Sequence, residues 1–119
     1  MNETLTLAII GHLVGDYLLQ TDWMAKNKKQ KILPCLVHCL VWTTSVCLFS
    51  GWSNPISILF IFECHFIQDH TQIVSWWMQL KWKSQVGFMQ PPLSPWSLIV
   101  VDNVWHIVQL FIAWKITSL

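Results

Sequence analysis

Three of the four long apolar stretches in this chain carry a histidine and an aspartate four residues apart: His12 with Asp16, His65 with Asp69, and Asp102 with His106. Residues at that spacing leave a helix on one face. Carboxylates and imidazoles are costly in hydrocarbon, and they turn towards one another or towards a cavity. A chain that repeats the pair three times therefore has few folds open to it. Its helices must gather with the three ionisable faces turned inward.

The apolar stretches cover residues 4–22, 32–49, 55–73 and 96–115. At about 1.5 Å per residue, each is long enough to cross a hydrocarbon core of about 30 Å. Turn-forming sequence falls between them: AKNKKQK after the first, SGWSNP after the second and MQPPLSP before the fourth. The balance of 54% hydrophobic to 11% charged residues, with a mean hydropathy of +0.47, places the 119-residue chain in a bilayer. A net charge of +1 and the lack of any arginine exclude a nucleic-acid partner. Cys35, Cys39, Cys47 and Cys64 all lie in apolar runs, which argues for reduced thiols rather than a disulfide framework. The opening MNETLT has Glu3 and no basic segment, so no cleavable signal is expected.

Trp23, Trp52, Trp76, Trp77, Trp96 and Trp114 fall near the proposed span ends, where an indole prefers the headgroup level. Lys26, Lys28, Lys29 and Lys31 lie in the first connection, Lys81 and Lys83 in the third, and no lysine in the second. The positive-inside rule then places connections one and three in the cytoplasm and both termini outside. The expected architecture is all-α, a single transmembrane domain over residues 1–119. It is a four-helix bundle with an interfacial segment over residues 75–95, between the third and fourth helices. The expected location is the inner (cytoplasmic) membrane, crossed several times.

With that orientation, the aspartate of every pair is the more cytoplasmic member. His12, His65 and His106 fall about 15 Å from the cytoplasmic ends, and Asp16, Asp69 and Asp102 about 9 Å. His38 and His70 lie at a similar or shallower depth. Helix association alone is achieved at lower cost by Gly, Ala, Ser and Thr. Eight ionisable groups at two matched depths point instead to a site. Imidazole and carboxylate are ligands for zinc, iron and manganese. One or two divalent ions are expected on His12, Asp16, His65, Asp69, Asp102 and His106, with His38 or His70 as a further ligand or general acid–base. Such ions suit hydrolysis of a substrate entering from the inner leaflet.

Other readings stand beside this one. Intramembrane Asp/His chains also build metal or proton conduits, although LTLAII, SVCLFS and SILFIF offer only hydroxyls on an outward path. Two facing histidines suffice for haem, and the pairs can also be structural glue. Cys35, His38 and Cys39 lie close on one helix and suit a soft metal, or are small packing residues. Gly11 and Gly15 form a small-xxx-small pair that permits close helix approach. Gln20, Asp22, Gln68, Gln72 and Asn103 flank the site as supporting donors or interfacial polar residues. Self-association is left open.

Several of these stretches carry a resemblance. GHLVGDYLLQTDWMAKNK (residues 11–28), His38, HFIQDH (residues 65–70) and VDNVWH (residues 101–106) resemble a small bacterial and phage membrane family, the domain of unknown function 3307. The family has glutamine where this chain has Asn103. The pattern is similar, more distantly, to inner-membrane proteins described as metal-dependent hydrolases. That resemblance implies a metal-centred activity on a membrane or lipid-linked substrate.

Overall fold

The computed structural model describes residues 3–80 and 87–119. Its elements are α1 (Glu3–Leu13), which runs on through a π-helical turn (Val14–Leu18), α2 (Asp22–Asn27), α3 (Ile32–Ser50), α4 (Pro55–His70), α5 (Ile73–Met78), a 3-10 turn (Gly87–Met89) and α6 (Trp96–Thr117). The described residues are helical and contain no strand. α3 and α6 are long and apolar enough to cross a membrane. The segments expected as the first and third spans are shorter than read. The first helix stops at Leu18 because its last turn widens, and α4 stops at His70 because Thr71 is extended.

Local chemistry explains the boundaries. Thr21 caps α2 by accepting from the Met24 amide at 3.3 Å. Gly51 ends α3 at a φ of 72°, a left-handed conformation open to glycine. Asn54 caps α4 by accepting from the amides of Ile56 and Ser57, and Pro55 sits at the first helical position. Beyond α4, Lys29 donates to the carbonyls of Asp69 and Thr71, which would otherwise lack intrahelical partners.

Of residues 75–95, expected as an interfacial segment, the described part includes most of α5 and the 3-10 turn. Lys81 and Lys83, which carry the inward placement of the third connection, lie outside the described residues.

α1 packs tightly on α3. A Cβ on Gly11 would meet the Ser45 carbonyl oxygen and the Val46 Cα at 2.8 Å, and one on Gly15 would meet Trp42 Cδ1 at 2.8 Å. Ser45 also donates to the Gly11 carbonyl at 2.8 Å. Leu5 and Ala8 from α1, Val46 from α3, Ile61 from α4, and Leu110 and Ala113 from α6 form an apolar core in one half of the bundle. The other half contains the ionisable residues. Outward faces are largely apolar, with Glu63 on α4 an exception: Leu48 is 79% exposed and Ile56 67%, while His12, His38, His65 and His106 are fully buried.

Candidate metal centre

Five of the six paired residues, joined by His38, converge in two donor groups that meet at Asp69. In the first group, His38 Nε2 lies 3.2 Å from Asp16 Oδ1 and 3.0 Å from Asp69 Oδ2. His65 Nε2 lies 3.0 Å from His38 Nε2, 3.6 Å from Asp16 Oδ1 and 3.3 Å from Asp69 Oδ2. Four ligands at 2.0–2.1 Å from a tetrahedral ion must stand about 3.3 Å apart, so these separations match that shape. Hydrogen bonding alone serves the cluster poorly. His38 Nδ1 and His65 Nδ1 are buried without a hydrogen-bond partner.

The second group uses the other oxygen of the same carboxylate. His106 Nε2 lies 3.4 Å from Asp69 Oδ1 and 3.3 Å from Asp102 Oδ2. Here three side chains offer donors, and Asp102 is partly exposed. An incomplete set of three protein ligands with an open position is the arrangement of catalytic sites, and a closed set of four that of structural ones.

Surrounding side chains hold these donors in place. Gln68 donates to Asp102 Oδ1 at 2.8 Å and to the Asp102 carbonyl at 2.9 Å. Gln109 donates to Gln68 Oε1 at 2.7 Å and lies 3.3 Å from His106 Nδ1 through its own oxygen. That contact assigns the His106 proton to Nδ1, and the Nε2 lone pair faces the Gln68 amide nitrogen at 3.3 Å, a contact that an ion at this position would displace. Trp42 stacks on His65 with centroids 3.9 Å apart, and His65 stacks on His106 at 4.2 Å.

Lys28 reaches in from the first connection. Its ammonium lies 2.6 Å from Asp69 Oδ2, on the side of the closed group. Burial disfavours its charge, yet the carboxylate beside it holds its pKa above the ordinary lysine value.

Two of the expected site residues stand apart. His12 belongs to neither group: its Nδ1 accepts from the Trp42 indole at 3.0 Å, and its Nε2 faces Asn103 Oδ1 at 2.9 Å. It borders the centre through Asp16, 3.3 Å from Nδ1, and through the His106 ring, with centroids 5.3 Å apart. Asn103 also donates to the Tyr17 hydroxyl. His70 turns away, with its Nδ1 2.7 Å from the Lys28 carbonyl and its ring against Phe66. His38, expected in a proton-transfer role or as a further ligand, lies inside the closed donor group. Cys35 and Cys39 face each other at 4.0 Å outside both groups. Asp22 is exposed and lies near Lys26, and Gln20 donates to the Asp16 carbonyl.

Lys28, Trp42 and Gln109 were not singled out for the site by sequence. Trp42 follows His38 by one turn and Gln109 follows His106 by three residues, so helical spacing held a signal for both. Lys28 comes from a loop and had none.

A cleft of about 360 Å³ opens from this half of the bundle. Its walls include Asp16, Asp69 and Asp102 together with Lys28, Lys29 and Tyr17. The centre is therefore reachable from the side of the first connection and covered by the apolar core on the other.

No curated protein and no solved structure matches the chain. Residues 4–119 match the family model described as Protein of unknown function (DUF3307), and the chain belongs to that family.

Proposed function

We propose that the protein is an integral-membrane metal centre that holds two divalent ions on either side of the Asp69 carboxylate and hydrolyses a phosphate ester entering from the cytoplasmic leaflet. The observation that carries this reading is the division of one carboxylate between two donor groups, a buried set of four and a set of three with a partly exposed carboxylate, beside a cleft that carboxylates of both line. Zinc, iron and manganese all suit such imidazole–carboxylate sets. Bound ions would supply Lewis acidity and a water nucleophile at neutral pH.

The chain's own residues do the rest. Gln68 and Gln109 orient Asp102 and His106, the imidazole stack fixes His65, and Lys28 stands at the cleft. Formal charge supports an anionic substrate. Asp16, Asp69 and Asp102 against Lys28 make the protein's own contribution negative, and two divalent ions would make the centre positive. A conduit is disfavoured because Leu5, Ala8, Val46, Ile61 and Leu110 close the path beyond the histidines.

The four-span arrangement, with the first connection cytoplasmic and both termini outside, belongs to the same proposal. It is supported by the apolar outward faces and by the lysines of the first connection. α1 with its π turn and α4, each about 24 Å long, span by local thinning of the bilayer.

The test is elemental analysis of gently purified protein together with phosphate release from para-nitrophenyl phosphate. Two ions per chain and release that disappears in Asp69→Asn are expected. Metal-free protein overturns the centre. Loaded protein with no release from this ester or from phosphatidic acid overturns the hydrolase.

A further inference from the structure

α5 folds back across α4 and α6, and Trp77 meets Trp105 edge to face at 5.0 Å. Beneath it lies a second space of about 300 Å³, lined by Cys64, Ile67, Ile73, Trp76, Trp77 and Trp105 among others. That volume is at the lower end of small-molecule sites, about 300–1,000 Å³, and its apolar walls with a few convergent polar groups match their usual chemistry.

The polar groups at its inner end are informative. They are Gln68 and Gln109, the two amides that hold Asp102 and His106. Val74 lines both this space and the charged cleft. The open donor group thus stands between a cleft that suits an anion once the proposed ions are bound and a compartment that suits hydrocarbon. A ligand filling both is amphipathic, with its ester linkage near Asp102.

We propose that the compartment beneath α5 takes the hydrocarbon chain of a lipid phosphate whose headgroup lies in the cleft. This rests on the phosphate-ester reading above and adds the substrate's class and the place of its tail. The three indoles give the chain rigid apolar walls at the level where tryptophan favours the membrane interface. Bulk lipid is the competing occupant, and the two differ in one respect. A substrate tail is retained through its headgroup, whereas a bulk lipid's tail is indifferent to it.

The experiment uses the full chain in nanodiscs with two photoreactive probes of identical acyl chains, a phosphatidic acid and a phosphatidylcholine, each carrying a chain diazirine. The phosphatidic acid probe is expected to label residues 64–77 and 105–109 several-fold more than the phosphatidylcholine probe. Free glycerol phosphate should compete poorly, which separates a lipid headgroup from a free phosphate. Cys64→Trp and Ile67→Trp each fill the compartment. In whichever variant keeps wild-type metal content, the excess labelling should disappear. Equal labelling by both probes, or an excess that survives in both metal-loaded variants, overturns the proposal. Labelling requires no turnover, so the two readings fail separately. Headgroup-dependent labelling without phosphate release removes the hydrolase and leaves the lipid site, and release without such labelling does the reverse.

Discussion

Asp69→Asn removes one charge and almost no volume, which makes it the sharpest probe of the centre. Asp69 Oδ2 faces His38, His65 and Lys28, while Oδ1 faces His106. An amide has a single oxygen, so one donor group must meet an NH₂ pointing at its cation. Even outer partners of a metal ligand are worth about 10–100-fold in affinity, so losing the shared ligand costs each ion at least about 1.4–2.8 kcal/mol.

The pattern of stoichiometry discriminates more strongly than the size of the effect. Wild type should hold two ions, Asp16→Asn and Asp102→Asn one each, and Asp69→Asn none at concentrations that saturate wild type. Elemental analysis with a competing chelator measures this directly. The metal-free variant also leaves Lys28, 17% exposed, without its nearest carboxylate, at a cost of about 2 kcal/mol after allowance for the open cleft. Two ions retained in Asp69→Asn, or both lost in Asp102→Asn, would refute the shared-carboxylate arrangement.

Lys28→Met should tighten metal binding by about tenfold, because the ammonium at 2.6 Å competes with a cation for Asp69; isothermal titration checks the sign, and weaker binding contradicts it. Gly11→Ala should lower stability in detergent by about 1–3 kcal/mol, since the added methyl meets backbone atoms of α3 at 2.8 Å; an unchanged melting temperature would mean that the helices are less close. Cysteines at Asn27 and Asn54 should be labelled from opposite faces of a vesicle, with Asn27 inside, and labelling from one face contradicts the four-span arrangement. Glu63 is exposed half-way along α4, so Glu63→Leu should raise stability in nanodiscs by about 2 kcal/mol if that face meets lipid; a loss of stability places the face in water or against another chain.

Much of the centre was legible because helical spacing is a property of one segment at a time. The inward faces, Gly11 with Gly15, and the convergence of Asp16, His65, Asp69, Asp102 and His106 all follow from it. Spacing cannot show which neighbouring helix supplies a partner. For that reason the donor groups hold His38 and not His12. His12 has an aspartate on its own helix, yet Trp42 from α3 occupies its Nδ1. His38 has none on its helix, and Asp16 and Asp69 reach it from α1's π turn and α4. Lys28 read as a topological charge because only the folding-back of α2 brings it to Asp69. The early ends of the first helix and of α4 were missed because a π turn and an extended threonine leave no mark on hydropathy.

The π turn over Val14–Leu18 also bears on descent. Its closing bond, from the Leu19 amide to the Val14 carbonyl, spans one residue more than an α-helical turn. Deleting one residue there would restore ordinary helix and rotate the downstream segment by about 100°. Asp16 and Gly15 lie inside that turn, against His38 and Trp42, and the chain beyond it leads to Lys28. Residues 11–20 are therefore locked in length more tightly than in composition. Among relatives, a one-residue gap in this stretch should mark lineages that have given up the centre while keeping the bundle.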